Sequence, residues 1–160
     1  MKNWINTLAL TLVMISPFSN ALASNPNDAQ ISHLGDSSAS PNQSVFSDAT
    51  HQFEVHVAGQ EISELAIQLP EGVSINSGID VKTKSGAKVP ATVSVNEGKA
   101  RLAFSQPIAP GATILVSMKG VKTPFYASNG YTWNYKVFAT KVGMKEEISL
   151  GLAQVQIHPL

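Results

Sequence analysis

The residues that could do chemistry are few, and their spacing works against them. The 160-residue chain has four histidines, at positions 33, 51, 56 and 158, and no cysteine. His51 and His56 are five apart, which in an extended segment sets them on opposite faces, so they do not form a local chelating pair. Met118 and Met144 stand in no His-x-Met arrangement. A copper site of the amino-terminal kind would need histidine where Ser24 is expected to begin the processed chain. The missing cysteines exclude a thiolate metal site, a disulfide framework, a cysteine nucleophile and a lipid-modified cysteine. There is no Gly-x-Ser-x-Gly, no glycine-rich phosphate loop and no His-Glu-x-x-His. Glu61 and Glu64 flank a turn and Glu146-Glu147 tip a loop, so they read as solvated charges. Asp48, Asp80 and Glu97 lack the clustered spacing of a calcium loop. The sequence therefore predicts no catalytic residue, no metal and no cofactor. His33 and His51 are expected in or beside a disordered tract, poor ground for a preorganised base. The routes left open are a hydrolase whose serine, histidine and acid are brought together by the fold, and a metal carrier.

One stretch offers a binding surface. Tyr131, Trp133 and Tyr135 fall at i, i+2 and i+4, on one face of a strand. Exposed, they would form a stacking platform for sugar rings, with Tyr126 in the preceding loop beside them. The same face continues with Val137 and Ala139, opposite Thr132, Asn134 and Lys136, and an apolar face of that length equally describes a strand turned into a core.

The elements that would position these residues are strands. Phe53, Val55 and Val57 alternate with Glu54 and His56. The same period of two runs through Leu65–Leu69, Ile79–Thr83, Ala91–Val95 and Ala100–Phe104. Pro110-Gly111 is a turn pair that launches the β-branched run Thr113 to Met118. Pro70-Glu71-Gly72, Asn76-Ser77-Gly78 and Asn129-Gly130 are further turns. Ser85-Gly86 and Asn96-Glu97-Gly98 are expected to close two successive hairpins. In the last strand Ile148, Leu150 and Leu152 share one phase, and Ala153, Val155 and Ile157 the other, which calls for a bulge near Gly151 to Ala153. No helix of three turns is written after residue 50, and no internal repeat is present. The pattern predicts an all-β fold: an antiparallel two-sheet sandwich, immunoglobulin-like or a related Greek key.

The ends read differently. Met1-Lys2, an apolar run from Trp4 to Ile15, Pro17 and Ala21-Leu22-Ala23 have the layout of a secretory signal peptide, residues 1–23. The run is about 12 residues long, short of the roughly 20 that span a bilayer, so no stable membrane span is expected after cleavage. Residues 24–50 are polar and read as a disordered linker, leaving 51–160 as the β-sandwich domain. Lysine plus arginine equals aspartate plus glutamate, 11 each, so there is no basic footprint for nucleic acid.

The run Phe104-Ser105-Gln106-Pro107-Ile108-Ala109-Pro110-Gly111-Ala112-Thr113-Ile114-Leu115-Val116-Ser117-Met118-Lys119-Gly120-Val121-Lys122-Thr123-Pro124 resembles the core motif of a cyanobacterial secreted family, domain of unknown function 2808. Tyr131 to Val137, Phe138-Ala139 and Leu150-Gly151 occupy the family's later aromatic strand and final glycine-led strand. The last strand here lacks the arginine and aromatics usual in that position. The resemblance spans roughly residues 52 to 157. It implies an all-β fold and export from a cyanobacterial cell, and it implies no reaction.

Together these features predict a periplasmic or extracellular sandwich without catalytic equipment. Its expected role is a binding or structural module of the envelope, holding an envelope protein or a glycan by loops or an exposed sheet edge.

Overall fold

The computed structural model describes residues 30–43, 48–124 and 132–158. Ten strands follow in chain order: β1 (His33–Ser40), β2 (Ala49–His56), β3 (Ile62–Gln68), β4 (Ser74–Ile75), β5 (Ile79–Thr83), β6 (Ala91–Asn96), β7 (Lys99–Ile108), β8 (Thr113–Lys122), β9 (Thr132–Lys141) and β10 (Glu147–Gln156). They form two five-stranded sheets with every ladder antiparallel. Sheet one runs β1-β2-β8, with β4 and β5 sharing the far side of β8; sheet two runs β10-β9-β3-β7-β6. This is an immunoglobulin-like sandwich, and the chain crosses repeatedly between its layers.

The period of two is what builds it. In β2 the residues at 49, 51, 53 and 55 are buried and those between them half-buried. In β8 Ile114, Val116 and Met118 point in, and in β9 Trp133, Tyr135, Val137 and Ala139 do so. The facing inner rows make one core, with Phe53, Leu65, Ile67, Leu102 and Val116 sealed from solvent. Each such side chain contributes about 1.5–3 kcal/mol over its exposed state.

Turn chemistry holds the rows in register. Glu97 and Gly98, at φ 50° and 73°, form the two-residue connection of the β6–β7 hairpin, the backbone a type I′ turn requires. At Pro110-Gly111 the Ala112 N–H donates to the Ala109 carbonyl (3.2 Å), and the turn docks on Val57 through bonds of 2.7 and 2.9 Å. Gly120 sits at φ 63°, and a Cβ there would lie 3.0 Å from the Ser77 backbone nitrogen. Only glycine lets β8 pass the 76–77 corner so closely.

Three expectations need correcting. Residues 33–40, assigned to a disordered linker, form β1 and pair with β2 from His33↔His56 to Ser40↔Thr50. The sandwich therefore starts well before residue 51. Ser32 anchors its entry: the Ala58 N–H donates to Ser32 Oγ (2.9 Å), whose hydroxyl donates to the Ala58 carbonyl (3.0 Å). Secondly, the Ser85-Gly86 turn folds residues 87–89 back on β5, through a Lys82–Lys88 bridge, but β6 then crosses into the other sheet. The expected hairpin of Ile79–Thr83 with Ala91–Val95 does not form, because β5 pairs with β8 and β6 with β7. Thirdly, the β10 bulge lies between Ser149 and Gly151, slightly earlier than expected. Leu152 is thereby turned away from Ile148 and Leu150 and is 50 % exposed.

Candidate functional site

The aromatic strand supplies core. Trp133 is 8 % exposed and Tyr135 0 %, so these two rings do not offer the faces a sugar platform needs. The platform is corrected to an interior row for this pair. Tyr126 and Tyr131, the other two candidate binding residues, lie outside the described residues.

Burying Tyr135 obliges its hydroxyl to find a partner, and it finds one that the sequence did not reveal. His51, also 0 % exposed, projects from β2 across the layer, its Nδ1 2.6 Å from Tyr135 Oη, the rings edge to face with centroids 5.8 Å apart. This bond joins the sheets through the middle of the core. Desolvation drives the His51 pKa down to about 4, and it drives the Tyr135 phenol upward. Both groups are therefore neutral at pH 7. Nε2 of His51 has no partner among the described residues, so one polar group stays uncompensated whichever tautomer is present. His51 belongs to a strand, not to the edge of a disordered tract, because β1 covers it through the Ala39↔His51 pair.

His56 lies on the opposite face of the same strand, as the spacing of five requires. It stacks on His33 with centroids 4.9 Å apart. Its Nδ1 is 3.0 Å from Thr113 Oγ1, and its Nε2 is 3.5 Å from a Glu54 carboxylate oxygen. Hydroxyl, imidazole and carboxylate thus meet, but on the outer face of a sheet. The 3.5 Å separation is too long for a bond that would orient a base. The Nε2 edge is also roofed by Gly35, where a Cβ would come within 2.5 Å of it. This arrangement packs a histidine and leaves no room for a substrate beside Nε2. Among the described residues no three His, Asp or Glu side chains converge on a metal position.

The carboxylates read as loop charges are strand residues at Glu64 and Glu147. On the outer face of sheet two Lys99 Nζ meets Glu147 at 2.7 Å, and Arg101 bridges Glu64 and Glu147 at 2.8 Å each. Lys99 also lies 5.3 Å from the Phe138 ring centre. The Lys99 hydrogen bond, ahead of the other causes, holds the Glu147 carboxyl below its usual range. A carboxylate held ionised in this way is a poor proton donor at neutral pH.

What remains is a groove. β1 and β10 are the edge strands of different sheets on the same side of the sandwich, and they enclose an open cleft of about 540 Å³. Its walls carry Ser37 and Asn42 from one side and Leu152, Gln154, Gln156 and His158 from the other. At the floor the Ser37 hydroxyl donates to the Gln154 carbonyl, and the His158 N–H donates to the Asn42 carbonyl (2.7 Å). The lining is mostly hydroxyl and amide, with the Asp36 carboxylate, the His158 imidazole and the exposed Leu152 beside them; among the described residues no hydrogen bond joins that carboxylate, that imidazole and a serine, and the Ser37 hydroxyl is committed to the Gln154 carbonyl. The reading of 24–50 as linker hid half of it. Leu34 and Ala39 are an odd number of residues apart, and the shift in register between Leu34 and Ser37 is what lets both face inward.

A family model described as "Protein of unknown function (DUF2808)" matches residues 27–157. The chain belongs to the DUF2808 family. The match takes in β1 as well as the later strands, in keeping with the strand order of sheet one. A search of curated proteins gave no match. Among solved structures, the DUF2808 chain is similar to the N-terminal domain of the Streptococcus gordonii adhesin Sgo0707. The TM-score is 0.53 at 11 % identity, over 80 % of this chain and 32 % of that one. It is also similar to BcpA, the major pilin subunit of Bacillus cereus, with a TM-score of 0.51 at 12 % identity, over 79 % of this chain and 40 % of that one. The chain thus spans well under half of either protein. These likenesses establish the immunoglobulin-like fold. Among the described residues no helix is long and apolar enough to cross a membrane.

Proposed function

We propose that this DUF2808 protein is an exported, non-catalytic binding or structural module of the cell envelope, periplasmic or extracellular, that holds an extended segment of an envelope protein between β1 and β10. The observation that carries the reading is the groove itself, flanked by two sheet edges and lined mostly by hydroxyl and amide groups, with Asp36 and His158 among them. An extended peptide exposes main-chain donors and acceptors at regular intervals, which the groove's serine hydroxyls and the side-chain amides of Asn42, Gln154 and Gln156 can bond. Leu152 adds an apolar contact for a side chain. Export rests on the layout of Met1 to Ala23, and the fold shared with an adhesin domain and a pilin subunit agrees with a place at the cell surface. A glycan is the second reading, since amides and hydroxyls also suit sugar hydroxyls, but without the aromatic platform it would bind by hydrogen bonds alone.

The test is a pull-down from solubilised envelope with wild-type protein beside Gln154→Trp, which fills the groove from an exposed position, and Lys122→Ala, which lies away from it. The reading requires a bound envelope protein that Lys122→Ala retains and Gln154→Trp loses. Equal retention by both variants, or turnover of an envelope substrate by the purified protein, would reject it.

A further inference from the structure

The sandwich has four sheet edges, and three are guarded. β1 and β10 face each other across the groove, and each carries a bulge. At the far side of sheet one, β4 has two residues. There β5 carries Asp80 and Lys82 and is bordered by residues 87–89, through the Lys82–Lys88 bridge and the Val89 N–H bond to the Val81 carbonyl (2.8 Å). Charge, bulges and cover are the usual means by which folded proteins keep edges from pairing with other chains.

Among the described residues the fourth edge, β6, has none of these. Ala91-Thr92-Val93-Ser94-Val95-Asn96 contains no charge and no proline, and its register with β7 is unbroken from Ala91↔Phe104 to Asn96↔Lys99. It is the last strand of sheet two, and Val95 is 43 % exposed. The two-residue turn makes Asn96 and Lys99 a narrow, hydrogen-bonded pair. By the alternation of an antiparallel ladder, Thr92 and Ser94 then bond to β7, while the N–H and C=O of Ala91, Val93 and Val95 point outward, away from the sheet.

We propose that β6 is a self-association edge: a second copy of this chain pairs with it antiparallel about a two-fold axis at Val93, joining two five-stranded sheets into one. The strand is complementary to itself in this register. Val93 meets Val93 and Ala91 meets Val95 on the core-side face, and Thr92 meets Ser94 on the outer face, a favourable cross-strand hydroxyl pair. All three residues with outward main-chain groups fall in hydrogen-bonded pairs. Asn96 falls opposite Pro90, whose carbonyl is already turned to the Ser105 N–H (3.1 Å), so the missing proline N–H costs nothing there. The acidic turn residue Glu97 comes to the end of the strand where the other copy carries Lys88, and symmetry provides that opposition twice. A two-fold contact closes at two chains. With so few paired residues it buries less than the roughly 1,200 Å² of a tight complex, so it forms with a midpoint in the range of about 10 μM to 1 mM.

Sedimentation equilibrium across that range, on protein recovered from cells expressing the full chain, is the test, combined with amide hydrogen exchange. The mass should rise from one chain to two. The amides of Ala91, Val93 and Val95 should slow by about tenfold or more with concentration, while those of Thr92 and Ser94 remain protected throughout. Val93→Pro removes an N–H that β7 does not use, and Val95→Lys places a charge on the edge; each should weaken the dimer at least about tenfold. A single-chain mass up to 1 mM overturns the proposal. So does a dimer that tolerates Val95→Lys with the three amides still exchanging freely, or an association that runs on into open polymer.

Discussion

At the residue scale the most consequential pair is His51 with Tyr135, a hydrogen bond between the two sheets with no water-exposed atom at either end. Its worth is asymmetric. Tyr135→Phe removes the partner of Nδ1 and leaves a second buried polar atom on an imidazole that already has one, so it should cost about 1–3 kcal/mol in urea unfolding. Replacing both members, His51→Leu with Tyr135→Phe, removes every stranded polar atom and should recover most of that loss. A double variant as unstable as the single one would show that packing and not polarity governs the site. The same burial sets a pH dependence. The His51 pKa falls from 6.5 in the unfolded chain to about 4 in the fold, so between those values the unfolded state binds a proton that the native state refuses. Stability is then full above pH 6.5 and falls as the pH drops toward 4, by up to about 3 kcal/mol. The Glu147 and Asp80 carboxyls, whose pKa values are lowered chiefly by hydrogen bonds from Lys99 and Lys119, begin to lose their contribution as the pH falls through their ordinary values of 4.5 and 3.8, at the acid end of this window and below it. Urea midpoints measured at pH 7 and pH 5.5, above the range where the carboxyls protonate, should therefore differ in the wild type, and much less in the double variant.

At the element scale the sandwich depends on a strand with an unpromising sequence. β1 is His-Leu-Gly-Asp-Ser-Ser-Ala-Ser, yet it pairs with β2 along its length, covers His51 and Phe53, and is anchored by the two Ser32 hydrogen bonds. A chain beginning at residue 51 would turn β2 into a bare edge and open the core beside it. It should be less stable than one beginning at residue 24 by about 3 kcal/mol or more, and should aggregate on heating. Equal melting temperatures for the two would mean that β1 is an ornament. The contrast with the strands from β2 onward explains how much of the fold was legible. β2, β3, β5, β6, β7 and β9 announce themselves by alternation, because each lays an apolar row on the core, while β8 is announced by its Pro-Gly turn and β-branched run and β10 by an alternation that changes phase at its bulge. β1 contributes only Leu34 and Ala39, out of phase across a bulge, and takes its stability from the ladder and a serine clamp. Neither leaves a hydropathy signal. The same gap hid the groove, half of whose wall is β1. The sequence did set His51 and His56 on opposite faces, but whether an inward histidine meets a tyrosine 84 residues away is decided by how the sheets stack, which no local pattern records.

At the scale of the whole molecule the chain passes from one layer to the other between most of its strands, so neither sheet is a contiguous stretch able to form alone. β8 needs β2 and β5 beside it, and β3 needs β7 and β9. A core shared in this way should come apart as a unit. Trp133 reports on it well: it is buried on the inner face of β9 and paired across to Val155, and cleavage of the expected signal would leave it the sole tryptophan, since the other is Trp4. Its emission should be blue-shifted and resistant to quencher in the folded protein. It should move to the red in one transition whose urea midpoint coincides with that of far-UV circular dichroism, which sees every strand. If the two sheets instead had independent stability, or if β1 peeled away first, the dichroism would begin to fall while Trp133 stayed protected. That separation of the two curves would disprove the single shared core and would make the wall of the groove a folding unit of its own.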